Sequence, residues 1–132
     1  MIVDTSVWID YFNGHPSREA QRLARAIEDG ELIGIPGLVL TEILLGLKND
    51  AEAQRIGSLL DAIDWIAEPS KADYAAAAEI YRACRAQGIT VRSTIDCLIA
   101  QLAIREQRAV LAKDRDFAAI AKIKPLRLVG IE

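Results

Sequence analysis

Short apolar runs alternate with amphipathic stretches along the whole chain. MIVD is an apolar run of strand length closed by an acid, and TSVWIDYF after it has the spacing of a short helix. NGHP is a turn. SREAQRLARAIEDG predicts an amphipathic helix capped by Ser17, with Ala20, Leu23, Ala24 and Ile27 on its apolar stripe and Gly30 beyond its end. ELIGIP predicts a short strand, and GLVLTEILLGL a helix entered through Pro36 and Gly37. DAEAQRIGSLLDAI predicts a further helix with Asp50 as its cap and Ile56, Leu59, Leu60 and Ile63 turned inward. DWIAE then reads as a strand. SKADYAAAAEIYRACRAQG predicts a long helix opened by a Ser70–Asp73 capping box and followed by Gly88. STIDCLIAQLAI is a nearly all-apolar helix, RAVLAKD a buried strand ending in an acid, RDFAAIAKI a short helix, and LRLVGI a last strand. Strands of this kind between helices imply an α/β fold around a mainly parallel sheet. No repeat, low-complexity tract or linker interrupts the pattern, so one domain over residues 1–132 is expected.

Composition narrows the class. Hydrophobic residues make up 52% of the chain, which excludes disorder. No apolar run approaches the ~20 residues of a membrane span. The start lacks a basic segment and carries Asp4 and Asp10, unlike a signal peptide. Cys84 and Cys97 lie in apolar helical patterns without CxxC spacing and read as buried, reduced thiols. Together these features predict a cytoplasmic protein with no membrane association. A net charge of −3 argues against coating nucleic acid by charge alone, but clustered acids at a metal site would pull the total down in the same way.

One of those acids is conspicuous. In GLVLTEILLGL the one-turn neighbours of Glu42 are Leu38, Val39, Leu45 and Gly46, and the opposite face carries Leu40 and Leu44. A helix apolar all round is expected to be buried, and a buried carboxylate needs a partner, a proton or a metal. Asp4 and Asp114 each follow an apolar strand, which places them beyond the carboxyl ends of the strands, where open parallel sheets bind ligands. Asp96 lies near the start of an apolar helix, with Ala100 and Ala103 leaving room beside it. Four carboxylates converging there would repel one another without a cation, and oxygen-only donors select Mg²⁺ or Mn²⁺.

Taken singly, the aspartates have simpler explanations. Asp4 and Asp114 are equally readable as N-caps of the helices that follow, and Ser93-Thr94-Ile95-Asp96 fits a capping box. Asp116 is a fifth acid nearby, a candidate further metal ligand that is also readable as a favourable charge in a helix's first turn. Thr5 and Ser6 are candidates to hold a metal-bound water or phosphate, or simply to cap. Arg92, Lys113 and Arg115 flank the acids in sequence and are candidates to grip phosphate. Arg82 and Arg85 form a solvated ridge, His15 is a solvated turn residue, and Trp8, Tyr11 and Phe12 fit a core or a dimer seam better than a base-stacking platform.

At this point the pieces together resemble a known family. IVDTSVWIDYF, TEILLGL, VRSTIDCLIAQLAI and AVLAKDRDF, in that order, resemble the PIN-domain ribonucleases, and most closely the VapC toxins of type II toxin–antitoxin modules. The likeness covers nearly the whole chain. The family's acidic quartet falls on Asp4, Glu42, Asp96 and Asp114, its hydroxyl on Thr5 and Ser6, and its additional acid on Asp116. The resemblance implies a three-layer α/β/α sandwich, Mg²⁺- or Mn²⁺-dependent cleavage of structured RNA such as tRNA or rRNA, a homodimer, and inhibition by a cognate VapB-type antitoxin.

The expected chemistry is phosphodiester hydrolysis by metal-activated water, leaving a 5′-phosphate and a 3′-hydroxyl. Two rivals stand beside it. An aspartate-nucleophile phosphatase of the haloacid dehalogenase type also places an acid after its first strand, but needs a second aspartate at the position of Ser6. A non-catalytic PIN-like module that binds RNA or protein would not need to keep its carboxylates.

Overall fold

The computed structural model describes residues 1–131. Four two-residue strands, β1 (Ile2–Val3), β2 (Gly34–Ile35), β3 (Asp64–Trp65) and β4 (Val110–Leu111), form a parallel sheet in the order β3-β2-β1-β4. Its register pairs Ile2 with Gly34 and Val110, Val3 with Leu111, and Ile35 with Trp65. Seven helices surround it: α1 (Thr5–Asn13), α2 (Arg18–Glu28), α3 (Gly37–Leu45), α4 (Asp50–Leu60), α5 (Lys71–Ala86), α6 (Thr94–Glu106) and α7 (Arg115–Ala121). Helix α1 packs on α2 and on α3, and α5, α6 and α7 pack on one another, giving the expected α/β/α arrangement.

Three of the four strands are buried, and β3 lies at the open edge, with Asp64 half-buried and Trp65 49% exposed. Ile2, Val3, Ile35, Val110 and Leu111 are at most 1% exposed, as a sheet covered on both faces requires. Gly34 permits the closest approach: a Cβ there would meet Ile66 Cδ1 at 2.6 Å and Arg108 Nη1 at 2.7 Å. The helix ends follow the sequence. Ser17 Oγ accepts from the Ala20 N–H, and the Ser70–Asp73 capping box is complete. Trp8 is fully buried and stacks on Phe12 at 5.6 Å, so the aromatic cluster belongs to the core. Both cysteines are buried and free. No described helix is long and apolar enough to cross a membrane.

Several expectations need correction. LRLVGI is not a strand. It meets β4 only in a parallel bridge between Val110 and Leu128, and Leu128 is 42% exposed, without the cover on both faces that a further parallel strand would need. Asn49, not Asp50, caps α4. Its Oδ1 accepts from the Glu52 N–H at 2.8 Å, leaving Asp50 as a first-turn charge. On α2 the buried stripe is Ala20, Leu23 and Ala26, with Ala24 and Ile27 half-buried. Helix α3 is not buried all round. Val39 and Ile43 face the core, whereas Leu44 is 37% and Leu45 79% exposed.

Candidate active site

The chain builds the sheet outward from β1 through β2 to β3, then returns to the other side of β1 with β4. Ligands bind in the crevice that opens at such a reversal, beyond the carboxyl ends of the strands. Asp4 leaves β1 there, its N–H bonded to the Leu111 carbonyl of β4 at 2.9 Å. Asp114 and Asp116 reach the same place at the start of α7, and the first turn of α6 brings in Asp96.

Asp96, Asp114 and Asp116 each offer a carboxylate oxygen within 4.8 Å of the others. Asp96 and Asp116 are buried, and Asp4 is buried beside them. The Asp96 carboxyl is raised to about 8, first by burial and then by the charges of Asp4 and Asp114. Burial raises Asp4 as well, opposed by the hydroxyl of Ser6, which donates to Asp4 Oδ2 at 3.0 Å. Asp96 Oδ2 is shut away from solvent and has no hydrogen-bond donor among the described residues. An orphaned carboxylate oxygen among other carboxylates is what a hard divalent cation would satisfy.

The simpler readings hold for some of these residues and fail for others. Asp4 occupies the N-cap position of α1 but makes no capping hydrogen bond with its side chain. Asp114 does cap α7, with Oδ1 accepting from the Asp116 N–H at 2.9 Å. Capping and cluster membership therefore coexist in Asp114. The expected box at Ser93 is half-formed. Ser93 Oγ accepts from the Asp96 N–H at 3.3 Å, but no reciprocal bond from the Asp96 carboxylate is present among the described residues.

Around this cluster the remaining candidates divide. Glu42 is half-buried, not sealed in an apolar helix, and its partner is the Thr5 hydroxyl, which donates to Glu42 Oε1 at 2.9 Å. Its charge reaches Asp4, so it forms the outer edge of the acidic patch. The Arg92 N–H donates to Asp116 Oδ2 at 3.1 Å, and its guanidinium lies 3.5 Å from Asp114 and 3.8 Å from Asp116. Arg115 is exposed and lines a small cleft with Arg92. Lys113 is engaged elsewhere, its Nζ 2.7 Å from Asp10 Oδ2 on α1.

The place of Asp116 was the part least visible in the sequence. It is 3% exposed and belongs to the tightest carboxylate group. The D-x-D spacing of Asp114 and Asp116 at a helix start was the signal, because residues at the cap and the second helical position both face back toward the strand end. A second buried acid, Asp73, does more than complete its capping box. It also receives Gln101 and Arg105 from α6, and is pulled down to about 2 by the Ser70 N–H and these donors. That network ties α5 to α6.

The PIN domain family matches residues 1–123. Over 128 residues the chain is 37% identical to VapC ribonuclease Mb1587 of Mycobacterium bovis and to ribonuclease VapC11 of Mycobacterium tuberculosis, with 96% of each chain covered. Among solved structures it resembles VapBC2 from Rickettsia felis bound to a DNA fragment from its promoter. That match has a TM-score of 0.74 and 21% identity, and covers 99% of this chain and 98% of the other. It also resembles VapBC-1 from nontypeable Haemophilus influenzae, at a TM-score of 0.70, 16% identity, and 97% and 95% coverage. At those identities the structural likeness speaks for the fold.

Proposed function

The chain belongs to the PIN-domain family, among the VapC ribonucleases of toxin–antitoxin modules, and from that premise we propose that it is a Mg²⁺- or Mn²⁺-dependent endoribonuclease cutting structured RNA. The observation that carries the metal is the buried Asp96 carboxylate, with one oxygen unsatisfied and Asp4, Asp114 and Asp116 around it. These four residues would hold the cation, with Glu42 at the edge acting directly or through water. The bound cation supplies an activated water and offsets the charge of the scissile phosphate.

The chain's own part is positioning. Asp114 is fixed by the Asp116 N–H, Asp116 by the Arg92 N–H, Asp4 by Ser6 and Glu42 by Thr5. Each carboxylate is thereby held before a ligand arrives, which reduces the reorganisation that binding requires. Arg92 and Arg115, which line one small cleft, would meet RNA at the rim. Lys113 would join them only by releasing Asp10. Cleavage leaves a 5′-phosphate and a 3′-hydroxyl in this reading.

The protein's partners in this reading are a VapB-type antitoxin and a second copy of the chain, all in the cytoplasm. A basic antitoxin side chain suits the acidic crevice. Exposed Leu32, Leu44 and Trp65, around grooves that share Ile63 and Trp65, together with exposed Leu45, Tyr74 and Ile95, are apolar surface that such contacts would bury. Sequencing RNA 5′ ends after brief expression of wild type and Asp96→Asn tests the central reading. Wild type should create new 5′-phosphate ends at a small set of sites. No new ends from wild type would leave a non-catalytic module, and equal new ends from both proteins would remove Asp96 from the site.

A further inference from the structure

We propose that Arg92 has two working positions. In the metal-free site it is the counter-cation of Asp114 and Asp116. When a divalent cation takes those oxygens, it is released into the neighbouring cleft and grips a phosphate of the RNA away from the bond being cut. The inference rests on the metallonuclease reading above and adds a coupling to it. Metal and RNA each strengthen the other's binding through one side chain.

The geometry carries both positions. Arg92 Nη2 is 3.5 Å from Asp114 Oδ1, and Nε is 3.8 Å from Asp116 Oδ1. A close charge-assisted pair would sit near 2.7–2.9 Å, so the guanidinium lies over the carboxylates without being clamped by them. Its side chain is 65% exposed and can move at little cost, while its N–H stays pinned to Asp116 Oδ2. A divalent cation among the same oxygens would repel a guanidinium, which cannot shed its proton. The space beside it is a cleft of about 270 Å³ lined by Thr90, Arg92, Arg115, Asp116 and Ala119. Arg115 is exposed and forms none of the salt bridges among the described residues. Two guanidinium groups and a hydroxyl around a cleft next to the acids match a phosphodiester anion.

The test measures binding, not turnover. Ca²⁺, which takes the same kind of oxygen ligands, replaces the catalytic ion. Its affinity is read by calorimetry, and that of a fluorescein-labelled RNA hairpin by anisotropy with and without Ca²⁺. Wild type, R92A, R92Q and R115A are compared, with melting curves to establish that each is folded. Without RNA, R92A and R92Q should bind Ca²⁺ up to about fivefold more tightly, the range of a loose ion pair removed. With Ca²⁺ they should lose about tenfold in RNA affinity, as for one charged hydrogen-bonding contact, and without Ca²⁺ much less. R115A should lose RNA affinity equally under both conditions. Equal losses with and without Ca²⁺ in R92A and R92Q, or unchanged Ca²⁺ affinity, overturn the two-position assignment while leaving the nuclease reading intact. Coupling lost as fully in R115A also overturns it. Failure of wild type to bind Ca²⁺ removes the metal-site reading and this inference together.

Discussion

Replacing Asp96 with asparagine should stabilise the metal-free protein, and only above about pH 4. The folded-state carboxyl is raised from 3.8 to about 8 by burial and by Asp4 and Asp114. A raised folded value means that the stability is fully present below the unfolded value and is lost as pH climbs toward the folded one. Each unit is worth about 1.4 kcal/mol. Integrating between pH 4 and pH 7.5 gives a loss on the order of 4 kcal/mol in wild type. Asparagine has the shape of the protonated acid, and its Nδ2 can donate to Asp114 or Asp116 without ever ionising. It should therefore escape the loss. For a domain of this size that corresponds to a melting temperature higher by roughly 15 °C at pH 7.5 in chelator, and nearly equal at pH 4. Saturating Mn²⁺ should reverse the order. At a hundredfold excess over Kd wild type gains about 2.7 kcal/mol, and the variant, short of a ligand, much less. Circular-dichroism melts of both proteins at pH 4, 5.5, 7 and 8, with chelator and with Mn²⁺, provide the comparison. Coincident melting curves in chelator from pH 4 to 8 would show that Asp96 carries no strained charge, and the metal argument built on it would fall.

Other outcomes follow from the same geometry. Asp4→Asn, Asp114→Asn and Glu42→Gln should each relieve growth arrest on expression without antitoxin at unchanged protein level, and a fully toxic Asp4→Asn strain would remove that residue from the site. Metal affinity, titrated by calorimetry, should fall about tenfold per pH unit below about 8, because the cation must displace the Asp96 proton; a flat profile from pH 6 to 8 would contradict this. Asp73, held at about 2, gives stability that is present above its ordinary value and lost as pH drops toward 2. Arg105 is 24% exposed and partly screened, so the gain is at most about 2 kcal/mol. Asp73→Asn should therefore be less stable than wild type at pH 6 and approach it at pH 2 in urea titrations. Lys113→Ala should change RNA affinity less than Arg115→Ala, since Lys113 is already paired with Asp10.

The sequence carried the architecture because the strands other than β3 lie in short apolar runs with a cap or turn signal nearby, and Ser17, Ser70 and Ser93 all accept from the residue three ahead. It also carried the crevice, because an acid after an apolar strand lands beyond the strand's end wherever neighbouring strands are parallel. What it could not carry is depth. GLVLTEILLGL is apolar on every face, so periodicity alone predicts burial. Only the fold shows that Val39 and Ile43 meet the core while Leu44 and Leu45 remain outside. Glu42 consequently needs less compensation than a sealed carboxylate would, and one hydroxyl from Thr5 provides it. Asp116 departs from its local pattern in the opposite direction. A first-turn acid on an exposed helix is usually a solvated charge, but α7 starts against α6, and that contact turns Asp116 inward to within reach of Asp96. The electrostatic load of the site is therefore shifted from the place the pattern suggested. It is concentrated on Asp96, Asp114 and Asp116, with Asp4 behind them and Glu42 on the rim. The side chain nearest that load on the solvent side is Arg92, which the sequence marked only as a neighbour of the acids and the fold places over them.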